Sequence, residues 1–153
     1  MMRTGNNSFT YLVLFLTAMS VFSFKSRDTT NGSLRVSVEN IRNNKGQIGF
    51  CLFNSSVGFP QKTEKAVQRA FVRIDGNSVE YTFTNVSPGT YAVCIFHDEN
   101  SDKKINTNFI GIPTEGVGVS NNAKGHFGPP KFDDAKFSVT KSGQKITITL
   151  TYL

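Results

Sequence analysis

The sequence predicts an all-β fold, an antiparallel β-sandwich of about seven strands with one short helix and one long ordered loop. Three observations carry this. In KITITLTYL at the end of the chain, Ile146, Ile148, Leu150 and Tyr152 alternate with Thr147, Thr149 and Thr151, and a two-residue period turns one row inward and the other to solvent. Turn formers recur at short intervals: NNKG at Asn43 to Gly46, Asp75-Gly76-Asn77, Pro88-Gly89 and Ser142-Gly143. Phe is abundant, at 14 residues, and Trp is absent, a bias toward strand-compatible side chains. A small closed barrel is the alternative architecture.

Taken in order, the first strand is LRVSVEN, where Leu34, Val36 and Val38 form the inward row. GQIGFCLFN follows with apolar residues on both faces, Ile48, Phe50 and Leu52 against Cys51 and Phe53, the pattern of a central strand covered on two sides. Gln61 to Ala70 is the one helical candidate, with Pro60 at its start and Ala66, Val67 and Ala70 along one side. FVRI and SVEYTF then read as the arms of a hairpin around Asp75-Gly76-Asn77. TYAVCIF is a second central strand, with Tyr91, Val93 and Ile95 on one face and Ala92, Cys94 and Phe96 on the other. KFSVTK and KITITLTYL close the chain as a further hairpin.

The N-terminus is set apart from this domain. Arg3 and the polar Asn6, Asn7 and Ser8 precede the apolar run LVLFLTAMSVFSF, which carries small residues near its end, the order of a signal peptide's regions. At roughly 13 residues the run is shorter than the roughly 20 a spanning helix requires. Residues 1–23 are therefore expected to be a cleaved signal, 24–33 a polar leader and 34–153 a single sandwich domain. The expected location is secreted or periplasmic. No cysteine follows the run until Cys51, so no lipid-modified N-terminal cysteine is available. The formal charge of +6 comes from scattered residues, with no basic stripe interleaved with stacking aromatics. Nucleic acid is thus excluded as a partner, and an envelope protein or saccharide is the expected kind.

Between the last two central features lies a connection of about 40 residues, His97 to Ala135, a length that is usually functional when ordered. Order is expected because the segment keeps Phe109, Ile110, Ile112, Val117, Val119, Phe127 and Phe132. Its opening, DENSDKKIN, spaces Asp98, Asn100, Asp102, the Lys104 carbonyl and Asn106 at two-residue steps, as positions 1, 3, 5, 7 and 9 of calcium loops are spaced. Lys103 stands where such a loop wants Gly, and Phe109 where it wants a bidentate Glu. Glu115 supplies the missing carboxylate only if the chain folds back. The rival role for this opening is an Asx-rich turn that caps its own backbone without an ion.

Catalysis would have to be built on His97 and Asp98, with His126 as a helper, in a hydrolase. There is no HExxH, no GxSxG and no cysteine set beside a base, so a non-catalytic binding or structural module is the first expectation. A saccharide or peptide surface along the loop would draw on His97, Glu115, Asn121 and Asn122 for polar contacts and on Phe109 and Phe127 as platforms. Asp133 and Asp134 read as a solvated turn. Cys51 and Cys94, the only cysteines, either pair as a disulfide in an oxidising compartment or remain two small buried hydrophobes.

The ordered run of PGTYA, FHDEN, NFIGIP, GVGVSNN, FGPP and FDDAKF resembles the secreted bacterial family called domain of unknown function 2141, over nearly the whole mature chain. The resemblance implies a periplasmic or extracellular β-sandwich of transthyretin-like or immunoglobulin-like type and no known activity. Where such sequences often read HDENGNGKLDTN, this one has Ser101, Asp102 and Lys103 in place of Gly, Asn and Gly, and Asn106 in place of Asp. That weakens any carry-over of metal binding.

Overall fold

The structure is a computed structural model and describes residues 31–153. The segment expected to be a signal, and the expected leader up to residue 30, lie outside the described residues. Among the described residues eight strands form two sheets: β1 (Gly32–Glu39), β2 (Gln47–Phe53), β3 (Gln68–Arg73), β4 (Val79–Val86), β5 (Gly89–Asp98), β6 (Val117–Val119), β7 (Phe137–Val139) and β8 (Gln144–Thr149). One sheet runs β4-β1-β8, the other β3-β2-β5-β6, with β7 also on β5. The first strand begins at Gly32, inside the segment expected to be leader.

Hydrophobic alternation places the core where the sequence puts it. Leu34, Val36 and Val38 of β1 and Ile148 of β8 face Ile48, Phe50, Leu52, Val93 and Ile95 of the opposite sheet, all buried. Burying each such side chain stabilises by roughly 1.5–3 kcal/mol. The central strands β2 and β5 are paired over seven residues, Gln47↔Asp98 through Phe53↔Ala92. Their second face carries Cys51, Phe53, Ala92, Cys94 and Phe96, and these are covered by Val119 and Ala135 with the partly buried Phe59, Ile105, Ala123 and Phe132.

Three expectations are corrected. Gln61 to Ala70 is not a helix: one 3-10 turn, Thr63–Lys65, survives, and from Gln68 onward the chain is β3, paired residue for residue with Gln47 to Leu52 of β2. An open edge on a central strand leaves a row of backbone groups unpaired, and satisfying it outweighs the tenths of a kcal/mol of local helix propensity. The only α-helical turn among the described residues is Phe132–Ala135. Neither predicted hairpin forms. β3 pairs with β2 while β4 pairs with β1, and β7 pairs with β5 while β8 pairs with β1, so both turns carry the chain from one sheet to the other. The β1–β8 ladder is parallel, from Leu34↔Gln144 to Glu39↔Thr149, in an otherwise antiparallel arrangement. Beyond β8, Thr151 and Val117 exchange both backbone bonds at 2.8 and 2.9 Å, which ties the chain's end to the rim of the other sheet.

Candidate functional site

The register of the central pair sets up the site. Because β2 and β5 run antiparallel with Ile48 opposite His97 and Gln47 opposite Asp98, the end of β5 delivers both polar side chains beneath the following loop, and neither exposes any surface. His97 Nε2 lies 2.8 Å from the Lys45 carbonyl oxygen and Nδ1 2.8 Å from the Tyr152 hydroxyl. A carbonyl only accepts, so Nε2 carries the proton. With the ring neutral, the Tyr152 hydroxyl donates to Nδ1 while accepting from the Arg42 N–H at 3.1 Å. Arg42 in turn stacks over the Tyr152 ring, 4.5 Å from its centroid, and its Nε donates to Glu99 Oε1 at 2.7 Å. Both imidazole nitrogens are occupied, and the ring works as a strut between the β1–β2 turn and the C-terminus.

Asp98 organises the loop. Its Oδ1 accepts the Asp102 N–H at 3.0 Å, and its Oδ2 accepts the Lys103 N–H at 2.9 Å and Gln47 Nε2 at 2.7 Å. Next in the series, Asn100 Oδ1 accepts from the Asp102 N–H at 3.1 Å and Asp102 Oδ1 from the Lys104 N–H at 2.9 Å. The tight winding this requires is achieved with left-handed backbone at Ser101 (φ 62°) and Lys103 (φ 65°). Lys103 thus adopts the conformation that glycine would hold at lower cost. The Asn106 amide donates to Asp102 Oδ2 at 3.0 Å, and that bond, the largest cause, holds the Asp102 carboxyl below the usual range.

The chain does fold back. Asn108 N–H bonds the Ile112 carbonyl at 2.9 Å and Thr114 N–H the Asn106 carbonyl at 3.0 Å, with Thr107 bridged to Pro113. Asn108 Oδ1 caps the turn through the Ile110 and Ile112 N–H groups at 3.1 and 3.0 Å. The result is a small hairpin that returns Glu115 to the start of the loop, where its Oε1 accepts the Glu99 N–H at 2.9 Å. Gly116 follows because a Cβ there would meet the Tyr152 ring at 2.4 Å. Glu115 is 7 % exposed. Burial pushes its carboxyl above the ordinary value, as do the charges of Asp98 and Asp102, against the pull of the bonded Glu99 N–H and of the Asn106 N–H nearby. Its Oε2 and Asn106 Oδ1 are the two buried side-chain atoms without a hydrogen-bond partner among the described residues.

The remaining candidates separate. Phe109, Ile110 and Ile112 sit on the hairpin tip in solvent, Phe109 at 99 % exposure, and Phe127 is likewise fully exposed. The order of the loop therefore owes nothing to Phe109 and Phe127 and little to Ile110 and Ile112; it comes from the Asx bonds above and from Val119, Ala135 and Phe132 packing on β5. Asn121 and Asn122 are pegs: the Asn121 amide donates to the Asp134 and Lys136 carbonyls at 3.1 and 3.0 Å, and Asn122 Oδ1 accepts the Thr149 N–H at 2.9 Å. His126, Asp133 and Asp134 are exposed. Cys51 and Cys94 are free thiols on directly opposed rungs. Burial pushes Cys51 up to about 12, against the lowering charge of Arg69. It pushes Cys94 well above its ordinary value, with Cys51 adding to the rise.

Gln47, Arg42, Tyr152 and Ser120 were not singled out by the sequence. Gln47 is visible only once the β2–β5 register is known. Ser120, fully buried, accepts the Val93 N–H at 2.9 Å and donates to the Ala135 carbonyl at 2.6 Å. An open groove lined by Ser33, Arg35, Ser142, Gly143, Gln144 and Lys145 includes neither His97 nor Asp98. No helix among the described residues is long and apolar enough to cross a membrane. Residues 36–147 match the model of a family described as uncharacterized protein conserved in bacteria (DUF2141). No curated protein and no solved structure matches the chain.

Proposed function

The chain belongs to the DUF2141 family, and from that premise we propose that it is a secreted or periplasmic, non-catalytic binding module whose contact surface is the hairpin tip at Phe109, Ile110 and Ile112. The observation that supports this is a division of labour along one loop: most polar groups at its base are bonded within the fold, while the apolar residues at its tip stand largely in solvent, Phe109 fully so. His97 has no free nitrogen and no exposure, and a general base must come within hydrogen-bond reach of the proton it removes. Large apolar side chains held in solvent on an ordered support lose little entropy on binding, which favours recognition of an apolar partner surface. Envelope components are the expected partners, since the sequence carries a signal-like N-terminus.

Two measurements test the reading. Cell fractionation should place the protein outside the cytoplasm. Capture from its own envelope fraction should recover a component with the parent protein that Phe109→Ser, with Ile110→Ser, fails to recover while melting at the same temperature. Equal recovery by parent and double variant would remove the tip as the contact surface. In a broad hydrolase and esterase screen, turnover abolished by a folded His97→Ala would replace the reading with the hydrolase alternative.

A further inference from the structure

We propose that the base of the same loop is a calcium site, with ligands from the side chains of Asp98, Asn100, Asp102, Asn106 and Glu115 and from the main-chain carbonyl of Lys104. This is independent of what the hairpin tip binds. Two features of the folded chain carry the inference beyond the spacing of oxygens in the sequence. The first is the return of Glu115. A calcium loop ends in a carboxylate that closes the shell, and here the hairpin from Thr107 to Pro113 brings one back to Glu99, beside Asp98.

The second is an accounting of buried oxygens. Burying a polar atom without a partner forfeits its hydration with nothing in return, so such atoms are rare and call for an explanation. The described chain holds two, Glu115 Oε2 and Asn106 Oδ1, and both belong to this one loop. Glu115 is nine-tenths buried, and its carboxylate sits against the negative charges of Asp98 and Asp102. Like charges gathered around a buried carboxylate repel it unless a cation lies among them. Oxygen donors of this kind, carboxylate, amide and main-chain carbonyl, suit a hard cation with an adaptable coordination number, which is calcium before magnesium.

The site is a weak one by its composition. Among the described residues no three His, Cys, Asp or Glu side chains already stand close enough together to hold an ion, so Asp98, Asp102 and Glu115 must draw together on binding, with the Asn100 and Asn106 amides and the Lys104 carbonyl completing the shell. Lys103 and Lys104 also reduce the negative charge that attracts a cation. A dissociation constant of about 10⁻⁴ to 10⁻³ M follows by comparison with extracellular modules.

The purified protein, stripped with chelator, is melted with and without about 10 mM calcium chloride, with magnesium chloride at equal ionic strength as control. A ligand bound only by the folded state raises the midpoint, here by about 5 °C or more. Glu115→Gln keeps the shape and the bond from the Glu99 N–H while removing the charge. Its calcium-free midpoint is expected at or above the parent's, with the calcium shift lost. Asp102→Asn, at an exposed position, is expected to lose most of the shift and decides the matter if Glu115→Gln does not fold. An unresponsive parent, an equal response to magnesium, or an undiminished calcium shift in the variants would overturn the site and leave buried water as the partner of the two oxygens.

Discussion

The two faces of the β2–β5 pair are made by the same strands and held by different means. On the inner face Ile48, Phe50, Leu52, Val93 and Ile95 meet another sheet, and the contact is apolar throughout. On the outer face Cys51, Phe53, Ala92, Cys94 and Phe96 meet pieces of loop, and the cover is held by named polar bonds. Ser120 fastens it to Val93 and Ala135, Asn121 to Asp134 and Lys136, and Asn122 to β8. Edge-to-face rings, Phe53 on Phe59 and Phe59 on Phe132, fill the space between. A sheet presents a regular surface that alternation alone can match. A loop has no period, so hydrogen bonds must fix where its few apolar residues land.

The contrast can be broken by substitution. Phe50→Ala on the inner face should destabilise by about 3–5 kcal/mol, the range for a large core ring, measured by denaturant unfolding; a loss under about 1 kcal/mol would show that the inter-sheet layer is not the stabilising core. Ser120→Ala on the outer face should cost about 1–3 kcal/mol because it orphans the buried Val93 N–H. A neutral Ser120→Ala would mean that apolar packing alone seats the cover. The smallest effect concerns the thiols. Cys51 and Cys94 should resist a thiol reagent in the folded protein, since burial disfavours both thiolates, and both should react in denaturant without reductant. Fast labelling of the native protein would show that the cover opens. No labelling in denaturant would show that the opposed rungs had oxidised to a disulfide.

The same contrast explains what could be read from the sequence. The inward rows of β1, β2, β5 and β8 are legible because each has a two-residue period against a regular partner. Gln61 to Ala70 misleads because its local pattern is weak and its fate is decided by the open edge of β2, a distant feature of the fold. The turns at Asp75-Gly76 and Ser142-Gly143 are legible as turns, but nothing local tells whether the two arms join one sheet or two. At the loop's base the spacing of Asp98, Asn100 and Asp102 is visible in the sequence, and the return of Glu115 is not. It depends on Asn108 capping a hairpin whose register only the folded chain fixes. Gln47 and Tyr152 belong to the site through pairings with residues about 50 positions away.

The parallel rung between β1 and β8 bears on how the domain comes together in time. β1 lies between β4 and β8, and its ladder to β8 joins residues 34–39 to residues 144–149. Closing that loop requires most of the chain to be present and loosely collapsed before the contact gives anything back, and such topologies reach the native state in milliseconds to seconds rather than microseconds. Until then the three-stranded sheet lacks one flank and the inter-sheet core lacks Ile148 and Leu150. A polypeptide built this way stays open until its last strand arrives.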